Sequence, residues 1–312
     1  MPAFWATKPS PQMIAVSRRS TSARRMAIFM VCPCVVERIR FDTLDSMLPI
    51  WEILALLLLG FCAGSLGGLL GIGGGVLTIP ALSILFGHDI HLAQAASMNV
   101  VVFVAIPAAI RHYRQSTLPI GLLRSVIPLG IAGIVLGVLL NNIIPTTPME
   151  KIFGVFLLYV IGVNCRKLVV GKPIGVDAVA RNSPSRGAVV GATAGFGAGL
   201  LGIGGGLITV PLSQQVCRLT LQHAIAVSAC LMSFTSVIGA AVKDSTLHLI
   251  ADQATGDPLR AFDALQMSFW IIPTAMVGSW MGARLTHVLP VRAIRILFII
   301  VMMIGAGKML WP

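Results

Sequence analysis

Residues 68–80 read GLLGIGGGVLTIP, and residues 199–211 read GLLGIGGGLITVP. The two stretches lie 131 positions apart and agree at ten of thirteen. The three differences, Val76/Leu207, Leu77/Ile208 and Ile79/Val210, exchange one aliphatic side chain for another, while every glycine, the threonine and the proline recur. Agreement of that quality marks an internal duplication. Each copy sits in a long apolar run, and the clustered glycines favour two helical pieces joined there over one straight helix.

Composition sets the class around these stretches. Of 312 residues, 56% are hydrophobic and 11% charged, with a mean hydropathy of +0.90. Soluble domains carry about 25% charged residues, so this chain has more apolar surface than a water-soluble core can hide. The reading is an all-α polytopic membrane protein. The net charge of +12 fits basic residues in short loops that orient membrane helices. No basic stripe with interleaved aromatics is present, which argues against a nucleic-acid partner. Six scattered cysteines (Cys32, Cys34, Cys62, Cys165, Cys217, Cys230) make no metal or disulfide framework. No Lys-Ser/Thr follows the glycines, and no strand or acidic partner accompanies them, so neither a Walker loop nor a dinucleotide fold is indicated. No cofactor is expected.

Residues 1–46 differ from the rest. They hold seven basic residues and an eleven-residue apolar run at 26–36, short of the about 20 needed to span a bilayer. Arg18-Arg19 and Arg24-Arg25 suggest a signal-like segment, but no small-residue cleavage site follows. This stretch reads as an N-terminal extension, disordered or arising from an upstream start, with Met47 a natural first residue. Residues 47–170 form a first membrane half, with apolar segments at 48–87, 91–110, 121–140 and 152–170. A polar linker, 171–186, leads to a second half, 187–312, with segments at 187–216, 222–242, 267–285 and 294–310. At the 131-residue offset Ala93 and Ser97 match Ala224 and Ser228. At an offset of 145, Pro128, Gly133, Gly137 and Pro145 match Pro273, Gly278, Gly282 and Pro290. The expectation is two four-segment repeats, about eight segments in all. Lys and Arg after residue 47 divide 11 to 5 between the two sides if every segment crosses once, which makes the halves parallel. They divide 12 to 4 if each glycine segment folds back, which inverts the halves. Inverted repeats with helices broken at the midplane are a recurring transporter plan, and that tips the reading toward inversion.

A helix broken at glycine leaves backbone N–H groups without intrahelical partners. Those groups, with the dipole of the next half-helix, suit an anion. Irregular backbone at membrane depth is tolerated where protein or a water-filled cavity satisfies it, and one such break per half points to a transport site. The candidate substrate-binding residues are therefore Gly71, Gly73, Gly74, Gly75, Thr78 and Pro80 in the first half. Their counterparts are Gly202, Gly204, Gly205, Gly206, Thr209 and Pro211. Ser97 and Ser228 join them from equivalent positions in the next segments. Glycines would supply backbone donors, threonines and serines hydroxyls, and prolines the bend. The upstream glycines Gly60, Gly64 and Gly68, like Gly191, Gly195 and Gly199, read instead as close helix packing. His91 and His223 stand at segment starts and read as solvated. Asn99 has no polar counterpart in the second half, where Cys230 takes the equivalent position, and ranks below the serines. Asp and Glu are absent from segment centres, so no buried carboxylate relay of the kind transporters use is expected. Residues 243–266, with Lys243, Arg260 and four aspartates including Asp244 and Asp263, read as a solvated loop with room for a short amphipathic helix.

The doubled Gly-Leu-Leu-Gly-Ile-Gly-Gly-Gly-x-x-x-x-Pro, followed in each half by Ala-x-x-x-Ser (Ala93 to Ser97, Ala224 to Ser228), resembles the TauE/SafE sulfite-exporter family of permeases over about residues 47–310. The resemblance implies a bacterial inner-membrane protein that moves sulfite, sulfonates or related small organic anions; with no nucleophile paired to a base and no clustered His/Asp/Glu, an enzyme is not expected. The expected function is an alternating-access permease for a small, sulfur-containing anion in a lipid bilayer. A passive anion channel and a non-transporting membrane assembly subunit are the alternatives. Coupling to protons or another ion, and a homo-oligomeric state, stay open at this level.

Overall fold

The computed structural model describes residues 49–70, 73–114, 120–170, 183–251, 258–285 and 291–311. The N-terminal extension at 1–46, most of the linker and Gly71 lie outside the described residues. Those described form ten α-helices: α1 (Ile50–Leu70), α2 (Gly75–Leu85), α3 (Ile90–Arg114), α4 (Ile120–Ile143), α5 (Thr146–Val170), α6 (Pro184–Leu201), α7 (Gly206–Val216), α8 (Leu221–Thr246), α9 (Ala261–Leu285) and α10 (Val291–Leu310). A 3-10 turn, Leu247–Leu249, follows α8, and an isolated antiparallel bridge joins Ala251 to Pro258. Each glycine-bearing segment is thus a long helix and a short one joined at the glycines.

The helices are apolar on faces that other helices do not cover. Ile50, Trp51, Leu54 and Leu58 on α1, Val155 and Leu158 on α5, and Leu265 and Phe269 on α9 are all exposed. A water-soluble protein rarely carries so much contiguous apolar surface; lipid is the solvent that suits it. Among the described residues, α1, α3, α4, α5 and α8 are long and apolar enough to cross a membrane. The chain is a multi-pass helical membrane protein. Helices α2 and α7 have 11 residues each, which at 1.5 Å per residue reach about 16 Å, roughly half of a hydrocarbon core.

Glycine seams hold the bundle together. In α1, Gly60, Gly64 and Gly68 lie against the backbone of Ile271, Ala275 and Ser279 in α9. In α6, Gly191, Gly195 and Gly199 lie against Val126, Gly130 and Ile134 in α4. The partner helices reciprocate, with Gly278 and Gly282 against Phe61 and Ser65, and Gly133 and Gly137 against Ala192 and Phe196. A Cβ on Gly64 would stand 2.7 Å from the Ala275 Cα, and one on Gly195 would stand 2.8 Å from the Gly130 Cα. Lipid tails are as apolar as the side chains, so dispersion across a close backbone approach is what drives such pairing. The upstream glycines pack helices, as expected. Helices α3 and α8 pack against each other, as do α5 and α10.

The solvated loop expected from residue 243 begins later. Helix α8 continues through Thr246, and Lys243 is 1% exposed. Apolar character resumes after the Lys243-Asp244 pair with Leu247, Leu249 and Ile250. That places the pair inside the bundle's end, where α4 offers amide oxygens to receive the ammonium.

Candidate functional site

The two glycine turns share one backbone solution. Gly73 and Gly74 have φ of 80° and 76°, and Gly204 and Gly205 have 72° and 90°. A Cβ is strained in that left-handed region, so glycine is required at these four positions. Gly74 and Gly205 cap α2 and α7 without any side-chain cap, and neither helix has an acidic residue in its first turn. The Gly74 carbonyl accepts from the N–H groups of Leu77 (3.0 Å) and Thr78 (3.3 Å), and the Gly205 carbonyl from those of Ile208 (3.1 Å) and Thr209 (2.9 Å). The N–H groups of Gly75, Val76, Gly206 and Leu207 therefore begin their helices without an intrahelical acceptor.

The turns meet inside the bundle. A Cβ on Gly75 would lie 3.3 Å from the Ile203 carbonyl oxygen and 2.7 Å from the Ser97 Oγ. Val101 of α3 packs against Gly73, Gly75 and Gly204, and Met232 of α8 packs beside Gly73. Val101 and Met232 stand near the middle of helices 25 and 26 residues long, so the meeting point is deep in the bundle.

The remaining sequence candidates divide by what their polar atoms touch. The Thr78 hydroxyl donates to the Gly74 carbonyl (3.3 Å) and the Thr209 hydroxyl to the Gly205 carbonyl (2.8 Å). The Ser97 hydroxyl donates to the Gly75 carbonyl at 3.3 Å. These three brace the turns. The Ser228 Oγ is buried with no hydrogen-bond partner among the described residues. Gly202 ends α6 with φ of 73°, its N–H donating to the Ala198 carbonyl at 2.9 Å. Pro80 is buried in α2, and Pro211 is half-buried in α7. Each lacks the N–H that would bond the carbonyl four residues earlier.

Beside the second turn lies a polar cluster that reading the sequence missed. The Lys243 ammonium donates to the Oδ1 of Asn141 and, at 2.8 Å, to the Oδ1 of Asn142, and it lies 3.3 Å from the His91 Nδ1. Asn141 is the junction: its Nδ2 donates to the Gln94 Oε1 (2.8 Å) and to the Leu200 carbonyl (2.7 Å) at the end of α6. A Cβ on Gly202 would be 2.6 Å from Gln94, so cluster and turn are in contact. Asp89 accepts from the His91 backbone N–H and the Thr146 hydroxyl, both at 2.7 Å. Asn99 donates to the Asp244 Oδ2 at 3.1 Å. His91, Gln94 and Asn141 are each 0% exposed.

One expectation is corrected here, and two findings add to the rest. His91 is buried and bonded, because the ends of α4 and α8 close over the start of α3; His223, bonded to the Thr220 hydroxyl at 2.6 Å, does sit half-buried at its helix start. Asn99 has a partner, the Asp244 carboxylate, on another helix. Ionisable groups do occur inside the bundle, near segment ends instead of centres. The available signal was the apolar run that continues past Lys243 to Ile250. Among the described residues no group of His, Cys, Asp and Glu could hold a metal ion.

Comparison with known proteins identifies the family. The family model described as sulfite exporter TauE/SafE matches residues 56–309. The chain is 31% identical over 292 residues to the probable membrane transporter protein MamO of Magnetospirillum gryphiswaldense, covering 83% of this chain and 45% of that relative. It is 28% identical to a probable membrane transporter protein of Methanocaldococcus jannaschii (66% of this chain, 75% of the relative). With the probable membrane transporter protein YunE of Bacillus subtilis the identity is 24% (74% and 85%). The chain spans less than half the length of the MamO relatives it matches. No solved structure matches it. On the family match over residues 56–309, the chain belongs to the TauE/SafE sulfite exporter family.

Proposed function

We propose that the chain is a permease of the bacterial inner membrane that moves a small anion, sulfur-containing by family analogy (sulfite or an organosulfonate), by alternating access. One observation carries this reading: the uncapped N-termini of α2 and α7 meet deep in the bundle with no acidic residue in either first turn. Each N-terminus carries roughly half a positive charge, and two such poles in a low-dielectric interior favour an anion between them. Gly73, Gly74, Gly75, Gly204, Gly205 and Gly206 would supply backbone donors, and Ser228 an uncommitted hydroxyl. Thr78, Thr209 and Ser97 would hold the turn carbonyls away from the anion, with Pro80 and Pro211 fixing the bend.

Two related halves, 47–170 and 187–312, suit alternating access. Support comes from the seams: the 131-residue offset takes Gly60, Gly64 and Gly68 to Gly191, Gly195 and Gly199, and the 145-residue offset takes Val126, Gly130 and Ile134 to Ile271, Ala275 and Ser279. Each half thus presents the same glycine helix to the same position of the other, an exchange that rocking one half against its mate would use.

Flux in proteoliposomes tests the reading, with sulfite, sulfate, taurine and a carboxylate control, each with and without a pH gradient. Selective movement of a sulfur oxyanion or sulfonate that responds to the gradient is expected. Unselective flux indifferent to the gradient would make the protein a channel, and no flux from folded protein would remove the transport reading.

A further inference from the structure

Contacts between helix ends sort the chain into two sides, and the glycine segments decide how. Along the first segment the numbering runs in opposite senses on the two arms. A Cβ on Gly74 would lie 2.9 Å from the Ala63 carbonyl oxygen, and farther out the His88 Nε2 stands 3.5 Å from the Glu52 Oε1. Helix α2 therefore returns along α1 and ends beside the first turn of α1. The second segment does the same. A Cβ on Gly205 would lie 3.1 Å from the Ala198 Cβ, and the Arg186 guanidinium donates to the Val216 carbonyl at 3.4 Å. That bond joins the first turn of α6 to the last residue of α7. Each segment is a hairpin whose two ends lie together.

Among the described residues, the six remaining helices have 20–26 residues each. At 1.5 Å per residue they are about 30–39 Å long, enough to cross a hydrocarbon core. One crossing apiece puts the starts of α1, α3, α5 and α9 on one side with the ends of α2, α4, α8 and α10. Contacts within that set agree. Lys243 near the end of α8 donates to Asn142 near the end of α4, Thr146 at the start of α5 donates to Asp89 ahead of α3, and Lys308 near the end of α10 donates to the Ile84 carbonyl of α2. If each glycine segment crossed once instead, the ends of α4 and α8 would lie on opposite sides, and so would Arg186 and Val216. From Met47 onward this first set carries four basic residues (Lys151, Lys243, Arg260, Lys308) and the other set twelve. Loop charge acts within about 20 residues of a membrane helix. Of the N-terminal extension only Arg38 and Arg40 come that near to α1, and they leave the excess on the second side.

We propose that the two glycine segments are re-entrant hairpins dipping in from opposite sides, that the halves are inverted three-crossing units, and that the basic set of helix ends faces the cytoplasm. The polar cluster around Lys243 then lies toward the outer face. Each half-helix points its N-terminal pole away from the side its hairpin enters. Helix α7, entering from the cytoplasm, points outward, where Gly202 of its turn touches Gln94 of the cluster; helix α2, entering from outside, points toward the cytoplasm. On the transport reading, which this last step rests on, the second turn is the half of the anion site reached from outside. The first turn is the half reached from the cytoplasm.

A maleimide that cannot cross the membrane tests this on the full chain with its six native cysteines changed to alanine. Single cysteines are introduced at four exposed positions: Pro49→Cys and Ala251→Cys in the first set, Ser185→Cys and Gln215→Cys in the second. In spheroplasts, Pro49→Cys and Ala251→Cys should label fully. Ser185→Cys and Gln215→Cys should gain at least tenfold once the membrane is opened. Where Ala251→Cys or Ser185→Cys fails to insert, exposed His248→Cys takes the place of the first, and native Cys165 kept alone, exposed near the end of α5, that of the second. Labelling of Ser185→Cys and Gln215→Cys from opposite sides overturns the hairpins and the inversion. Labelling of that pair in spheroplasts, with Pro49→Cys and Ala251→Cys reached only after opening, overturns the orientation. Neither result involves flux, so both leave the transport reading intact. Absence of flux from protein that labels as expected removes the transport reading and keeps the topology.

Discussion

Gly195→Ala should weaken the fold by an amount the α4–α6 seam sets. A Cβ on Gly195 meets the Cα and carbonyl carbon of Gly130 at 2.8 Å, and ordinary contact begins near 3.4 Å. Both atoms are backbone, so no rotamer change relieves the clash and the helices must part by about 0.6 Å or more. A gap of 0.5–1 Å forfeits about a quarter to a half of each dispersion contact it opens. Overpacking of this kind costs about 1–3 kcal/mol. Gly162→Ala is the matched control: it lies inside α5, and nothing stands within 4 Å of its added Cβ. There the better helix propensity of alanine contributes about 0.8–1 kcal/mol of stability. The two alanine variants should therefore differ by about 2–4 kcal/mol, or roughly 4–16 °C in melting temperature for a chain of this size. The thiol of Cys217 is buried, so labelling by a maleimide dye during a temperature ramp in detergent reports unfolding, with exposed Cys62 and Cys165 giving the baseline. If Gly195→Ala melts at or above Gly162→Ala, the seam is not a backbone contact and the helix arrangement argued from it is wrong.

Asn141→Ala should cost about 2–4 kcal/mol, because it takes one acceptor from the buried Lys243 ammonium and removes the donor to the Gln94 Oε1 and the Leu200 carbonyl. Combining it with Lys243→Met should recover part of that loss, a non-additivity that a double-mutant cycle in thermal melts detects; strict additivity would separate the two residues energetically. Thr209→Val removes a hydroxyl that donates to the Gly205 carbonyl at 2.8 Å, an acceptor that keeps its two backbone donors. Stability should fall by about 0.5–1.5 kcal/mol and flux should stay within about twofold. A tenfold flux loss from stable Thr209→Val protein would mean that this hydroxyl meets the substrate.

Much of this protein is legible in its sequence because the deciding signals are local. Apolar runs with so few charges demand lipid whatever their neighbours. Adjacent glycines at 73–75 and 204–206 announce a helix break because glycine enters the left-handed backbone, found at 73, 74, 204 and 205, without the strain a Cβ brings. Glycines four apart at 60, 64 and 68, and again at 191, 195 and 199, fall on one helix face and declare a packing seam before its partner is known. The polar cluster had no such signature. A lysine, a histidine or a pair of asparagines near the end of an apolar run has the same local sequence whether water or protein covers it. What buried Lys243 was the tertiary arrangement that brings the end of α8 to the end of α4 and the start of α3, so that Asn141, Asn142 and His91 surround one ammonium. The same holds for the two turns: sequence dictates that each helix must break, but packing around Val101 and Met232 alone decides that the two breaks meet.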